Sequence, residues 1–202
     1  MVGEISLLTA APRVELWELW QRTGRDDPPF WAYPWAGGQG LARYILDNPG
    51  TVRGRRVLDV ASGSGLVAIA AAKAGAAEVI AGDIDPLAVA AIAANAAANG
   101  VAVDARVFDL AVGDAGDADV ILAGDVFYQR QLAELALRFL RAAISPGAEG
   151  AKGAAVVEVL VADPGRAFVP AASLTALARY QVPVLTEIED APVKAVTVYR
   201  LT

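Results

Sequence analysis

Val57-Leu58-Asp59-Val60-Ala61-Ser62-Gly63-Ser64-Gly65 reads as a buried strand running into a turn of small residues, with residues 65–74 forming a helix behind it. Gly63 and Gly65 remove the Cβ atoms that would keep a ligand from the backbone, and the helix start offers free N–H groups. Outward from this unit the pattern repeats. Residues 56–61, 78–82, 105–108, 119–123 and 155–161 are short runs rich in Val, Ile and Leu, the composition of parallel strands buried on both faces. Residues 65–74, 86–99 and 129–144 are long enough for crossover helices, and the second has Asp85 as its cap, Pro86 at its first position and Gly100 after its end. Such alternation specifies a Rossmann-like, doubly wound, mostly parallel α/β sheet. Residues 181–188 and 195–201, joined by a turn at 189–194, read as an antiparallel C-terminal strand pair that brings the sheet to seven strands, with Pro183 at an edge or strand start.

The N-terminal part differs in character. Residues 13–22 place Val14, Leu16, Trp17 and Trp20 on one apolar stripe at helical spacing, an accessory first helix. Residues 24–38 are turn-rich and then aromatic, and Phe30, Trp31, Tyr33 and Trp35 read as a plug over one end of the core. Residues 41–46 form a short helix stopped by Asn48-Pro49-Gly50. Residues 1–202 are thus expected to be one domain, with 1–50 as a helical and aromatic accessory segment and 51–202 as the core.

Composition narrows the chemistry. The 202 residues contain neither cysteine nor histidine. Disulfides, zinc thiolate clusters and thiol nucleophiles are excluded, and so is the usual general base near neutral pH. Carboxylates, Tyr, hydroxyls, three lysines and the backbone remain, which suits a reaction needing little from the protein. A formal charge of −6 argues against dedicated nucleic-acid binding, which requires a basic face. Alanines spread along the chain raise its hydropathy, but no apolar run reaches the ~18 residues of a membrane span. Residues 1–20 carry Glu4, Glu15 and Glu18 without a basic start and apolar block, so no signal peptide is expected and the cytoplasm is the default compartment.

Several acids stand where such a sheet binds ligands. Asp83 ends the second strand, where a carboxylate can accept both hydroxyls of a ribose. Asp59 lies inside the first strand, where it would repel the pyrophosphate of a dinucleotide but attract the sulfonium and ammonium of S-adenosylmethionine. Methyl transfer is therefore read ahead of nicotinamide chemistry. Asp109 closes the third strand, either near an adenine amino group or as a turn cap. Gly124-Asp125-Val126-Phe127-Tyr128 puts an acid and an aromatic at the carboxyl edge of the sheet, either beside a substrate or capping and packing on the following helix. Asp163-Pro164-Gly165-Arg166 reads as a turn at the same rim, where Arg166 anchors the loop or meets an acidic group on a partner.

The chain resembles the class I, seven-β-strand S-adenosylmethionine-dependent methyltransferases, and within them the lysine methyltransferases of the electron transfer flavoprotein β subunit. The residues that carry this are Pro29-Phe30-Trp31-Ala32-Tyr33-Pro34-Trp35-Ala36-Gly37-Gly38-Gln39, the 58–65 turn, Asp83-Ile84-Asp85-Pro86, the 124–128 run and the 163–166 turn. The resemblance implies that Trp35 lines the cofactor pocket and that Asp59, Gly63 and Gly65 surround the methionine part. It further implies that Asp83 holds the ribose, Ile84 packs on the adenine, Asp109 approaches its amino group, and Gly124 borders the same pocket. Asp125 and Tyr128 match the acid-x-x-aromatic motif beside the target side chain.

The implied reaction is in-line methyl transfer from S-adenosylmethionine to a lysine of a protein substrate, the electron transfer flavoprotein β subunit or a ribosomal protein. A monomer without membrane or nucleic-acid partners is expected. Because a free lysine amine is protonated at neutral pH, the site must present it uncharged. Asp125 and Tyr128 are expected to orient it, with water taking the proton. Small-molecule methylation, NAD-dependent oxidoreduction and a non-catalytic binding module are the alternatives.

Overall fold

The structure is a computed structural model that describes residues 2–9, 20, 22, 24, 29–144, 157–186 and 189–202. Helix α1 (Ala36–Asp47) precedes the sheet. There follow β1 (Arg56–Val60), α2 (Leu66–Lys73), β2 (Glu78–Asp83), α3 (Pro86–Ala98), β3 (Asp104–Val107), β4 (Val120–Gly124), α4 (Arg130–Ile144), β5 (Glu158–Asp163), β6 (Leu174–Pro183) and β7 (Val193–Leu201). The strand order is β3-β2-β1-β4-β5-β7-β6. The strands from β1 to β5 pair in parallel, and β7 runs antiparallel between β5 and β6. This is the expected seven-stranded, doubly wound sheet. Order reverses between β1 and β4, so a crevice opens at their carboxyl ends, where open α/β sheets bind ligands.

Successive residues alternate between two buried faces, as strand geometry requires. Val57, Leu122, Leu160 and Val198 pack with Leu41 and Ile45 of α1, Ile69 of α2 and Ile92 of α3. Leu58, Val60, Ile121 and Val161 face the other way, onto Ala136, Phe139 and Leu140 of α4. Asp85 caps α3 as its sequence predicts, accepting from the Leu87 N–H at 3.0 Å, with Pro86 opening the helix.

Helix α1 is longer than the six residues 41–46 expected of it. Its first turn, Ala36-Gly37-Gly38-Gln39, has poor helix propensity, but tertiary contact supplies what propensity lacks. A Cβ on Gly40 would stand 2.5 Å from Val196, so the glycine lets α1 lie directly on β7. The C-terminal pair also departs from expectation: its strands are Leu174–Pro183 and Val193–Leu201, not 181–188 and 195–201, with 184–192 as the connection. β6 is a half-exposed edge strand with a register shift between Ala176 and Ala178, so alternation is broken in its first half, ahead of the 181–188 stretch expected to form the strand. Pro183 ends this edge strand rather than starting it. The expected helix over 13–22 falls largely outside the described residues.

Candidate active site

The first-strand acid turns inward. Asp59 is 1% exposed, and its Oδ2 accepts from the Ser62 hydroxyl at 2.5 Å and from the Ala68 N–H at 3.1 Å. The latter is a first-turn amide of α2 without an intrahelical partner. Burial pushes the Asp59 carboxyl up to about 7, although both hydrogen bonds oppose the rise. Asp83 ties the turn to β2: its Oδ2 accepts from the Gly63 N–H at 2.9 Å and its Oδ1 from the Asp85 N–H at 3.0 Å. Its acidity is also weakened by burial. From above, the buried Asn95 amide of α3 donates to the Ser64 carbonyl at 2.8 Å and accepts from the Leu8 N–H at 2.7 Å. Gly65, at φ +82°, takes a left-handed conformation that a side chain would strain.

A second constellation forms where β4 ends. Asp125 is a non-glycine residue at φ 59°, a conformation that costs about 1–3 kcal/mol and that clusters at functional sites. Its Oδ2 accepts from the Gly37 N–H at 2.5 Å and its Oδ1 from Arg166 Nε at 2.8 Å. Gly37 stands so close that a Cβ would lie 2.6 Å from the Ala162 carbonyl and 2.8 Å from the Asp125 nitrogen. The glycines of the 29–39 run therefore serve to seat the N-terminus of α1 on the carboxyl end of β4. Arg166 also donates to both carboxylate oxygens of Glu189, at 2.8 and 3.2 Å, and Lys194 lies 3.8 Å from Glu189. Burial raises Asp125 against the pull of Arg166. Burial works against the charge of Arg166, yet Asp125 and Glu189 hold its guanidinium more firmly protonated than usual. Asp163 accepts the N–H groups of Gly165 and Arg166 through Oδ1, at 2.6 Å each. Its Oδ2 is buried without a partner, and desolvation raises the carboxyl to about 6.

Between the two constellations lies a cleft of about 400 Å³. Gly63, Asp83 and Ile84 line one end, and Gly124, Asp125, Tyr128 and Arg166 the other. The Phe30 ring packs at a tilt against Tyr128, 5.3 Å between centroids, and against Trp35, 5.8 Å; Trp35 Nε1 donates to the Phe30 carbonyl at 2.7 Å, so these rings wall the cleft. Ile84 is 66% exposed, an apolar surface offered to the space in front of it. A smaller cavity of about 50 Å³ shares Trp35, Ala61, Gly63 and Gly124 with the cleft and has Asp59 in its wall.

Most of the residues singled out in the sequence thus converge. Asp109 does not line the cleft; its Oδ1 accepts from the Ala111 N–H at 2.8 Å. Arg166 meets acids of its own chain. Gly37 and Glu189 were not singled out: Glu189 opens the 189–194 stretch, which reads only as a turn between strands, and nothing local links it to Arg166. Among the described residues, no cluster of His, Cys, Asp or Glu is arranged to hold a metal ion, and no helix is long and apolar enough to cross a membrane.

Comparison with known proteins bears on this arrangement. Residues 44–145 match the family described as ribosomal protein L11 methyltransferase (PrmA). The electron transfer flavoprotein beta subunit lysine methyltransferase of Danio rerio is 37% identical over 209 residues, covering 99% of this chain and 76% of that protein. The chain belongs to this lysine methyltransferase family. The family's Xenopus laevis member is 41% identical over 172 residues, covering 83% of this chain. The chain spans 65% of the length of that relative and 53% of the Mus musculus one. Among solved structures, a putative RNA methyltransferase from Pyrococcus horikoshii shares the fold, with a TM-score of 0.61, 16% identity and 88% of each chain covered.

Proposed function

We propose that this chain is an S-adenosylmethionine-dependent protein-lysine methyltransferase acting on the electron transfer flavoprotein β subunit. The observation that carries the reading is one cleft bounded at one end by Gly63 and Asp83 and at the other by Asp125 and Tyr128. Residues 1–202 act as one methyltransferase unit, with 1–50 supplying the aromatic wall and 51–202 the Rossmann-like core. The cytoplasm is the compartment this reading assumes.

The residues fit a cationic nucleoside better than a dinucleotide. A pyrophosphate would need the first-turn amides of α2, but Asp59 already occupies the Ala68 N–H there. Asp83, Asp85 and Asp125 line the cleft, and with Arg166 paired to Asp125 the remaining acidic balance at the Asp83 end favours a positive ligand. Asp83 has lone pairs left for ribose hydroxyls after its two backbone bonds, Ile84 and Trp35 offer apolar faces, and Asp59 lies beside the smaller cavity that continues past Gly63. When bound, S-adenosylmethionine supplies an electrophilic methyl group on a sulfonium that leaves as a neutral thioether. Asp109, outside the lining of the cleft and bonded to the Ala111 N–H, carries no adenine contact in this reading.

At the other end Asp125 and Tyr128 orient the lysine amine. Its nitrogen lone pair forms the N–C bond as the C–S bond breaks, and the extra proton leaves to water. Positioning supplies most of the acceleration, which suits a chain without His or Cys. Relatives named for ribosomal protein L11 match over a shorter stretch, 70 residues and 35% of this chain, and so the flavoprotein is the preferred substrate.

Purified electron transfer flavoprotein and ribosomal protein L11 should be incubated separately with the chain and labelled S-adenosylmethionine. Label in the flavoprotein β subunit is expected. A β subunit that stays unlabelled, whether or not L11 takes label, overturns the reading. A ligand at ~100 times its Kd stabilises by about 2.7 kcal/mol, a melting shift of roughly 5–11 °C in a chain of this size. S-adenosylhomocysteine should give this shift and NAD should not.

A further inference from the structure

A carboxylate at an amine-methylating site creates a difficulty. By itself, Asp125 would attract the lysine as its ammonium, because an opposite charge favours the charged form, and an ammonium has no lone pair with which to attack. The structure supplies a counterweight. Arg166 Nε lies 2.8 Å from Asp125 Oδ1, and both residues line the cleft. Any amine engaged by Asp125 therefore comes within a few ångströms of a guanidinium that cannot give up its proton.

From this geometry we infer that Arg166 sets the charge of the acceptor site, cancelling the pull of Asp125 so that the incoming lysine is held as a neutral amine, and that Glu189 is the positioning residue that fixes Arg166 there. The inference rests on the lysine-methylation reading. Glu189 is well placed for this role, since its side chain is 2% exposed and both of its oxygens bond the guanidinium. It reaches the site from the β6–β7 connection, so the far end of the sheet takes part in the acceptor chemistry. The other charged and titratable groups around Arg166 are few. Asp163 accepts its backbone N–H from the end of β5, Lys194 of β7 sits behind Glu189 and pairs with the exposed Asp190, and Tyr128, Asp83 and Asp85 share the cleft. Of all these, Arg166 is the cation that borders the cleft beside Asp125 among the described residues.

Two substitutions should move the pH profile in opposite directions. Arg166→Gln leaves Asp125 unbalanced, so the bound amine keeps its proton to higher pH. The rising limb of kcat against pH shifts alkaline by about one unit or more, and turnover at a fixed pH on that limb falls about tenfold. Glu189→Gln leaves Arg166 less compensated, so the limb shifts toward acid. Arg166→Lys keeps a positive charge and restores the wild-type limb. Calorimetry with S-adenosylhomocysteine-loaded protein reads the same property without turnover: in buffers of different ionisation heat, Arg166→Gln should release fewer protons per flavoprotein bound than wild type. If both substitutions lower turnover or melting temperature while the limb and the proton release stay in place, Arg166 is only a loop anchor and the inference fails. Should Arg166→Gln not fold, an unmoved limb in Glu189→Gln suffices to overturn it. A wild-type chain inert toward the flavoprotein removes the proposed function, and the inference with it.

Discussion

The buried carboxylate of Asp59 makes the ligand-free protein lose stability as pH rises, and the size of the loss follows from its surroundings. Its folded value of about 7 stands above the ordinary 3.8. The folded chain therefore binds more protons than the unfolded chain between those values, and unfolding free energy decreases with pH across that window. From about pH 5 to about pH 8 this one group removes roughly 2–3 kcal/mol, or roughly 5–10 °C in melting temperature. Asp163, at about 6, adds a smaller fall of the same sign, so wild type alone cannot isolate Asp59. Asp59→Asn does. The amide keeps an acceptor for Ser62 and Ala68 but cannot ionise, and its stability curve should be flatter than that of wild type by the stated amount. Denaturant unfolding of both proteins, followed at several pH values between 5 and 8 without ligand, provides the double difference. Parallel curves would mean that the carboxyl titrates alike in the folded and unfolded chains and that burial does not raise it.

Other perturbations report on separate parts of the site. Asp83→Ala removes the acceptor of the Gly63 N–H and the proposed ribose ligand together; the S-adenosylhomocysteine melting shift of roughly 5–11 °C should vanish, and a retained shift would count against the ribose assignment. Gly37→Ala forces a Cβ to within 2.6 Å of a backbone carbonyl, which should cost about 1–3 kcal/mol by overpacking and displace α1 from Asp125; an unchanged melting temperature would show that α1 can yield. Asp125→Ala should lower kcat far more than it weakens S-adenosylhomocysteine binding by titration calorimetry, since Asp125 borders the end of the cleft proposed for the acceptor. Equal losses in both would contradict its role.

How much of this was legible in the sequence depended on the range of each cause. Strand, glycine turn and helix are decided within a few residues, by burial on both faces of 57–60 and by the conformations that Gly63 and Gly65 permit, and their repetition determined the sheet. The C-terminal hairpin was displaced by several residues because β6 is a half-exposed, bulged edge whose alternation is interrupted. The glycine turn, Asp83, Asp125 and Tyr128 could be picked out from their positions at strand ends. What their side chains bind could not. Asp59 bonds a helix amide from the wall of the smaller cavity, and Asp125 takes its partners from Gly37 and Arg166, residues 88 and 41 positions away. Local pattern suffices for a doubly wound sheet with an acidic, glycine-lined crest. Which of those acids support the backbone and which are balanced by Arg166 and Glu189 depends on how helices and hairpins dock, because hydrogen bonds between distant segments follow from that docking and no local period encodes it.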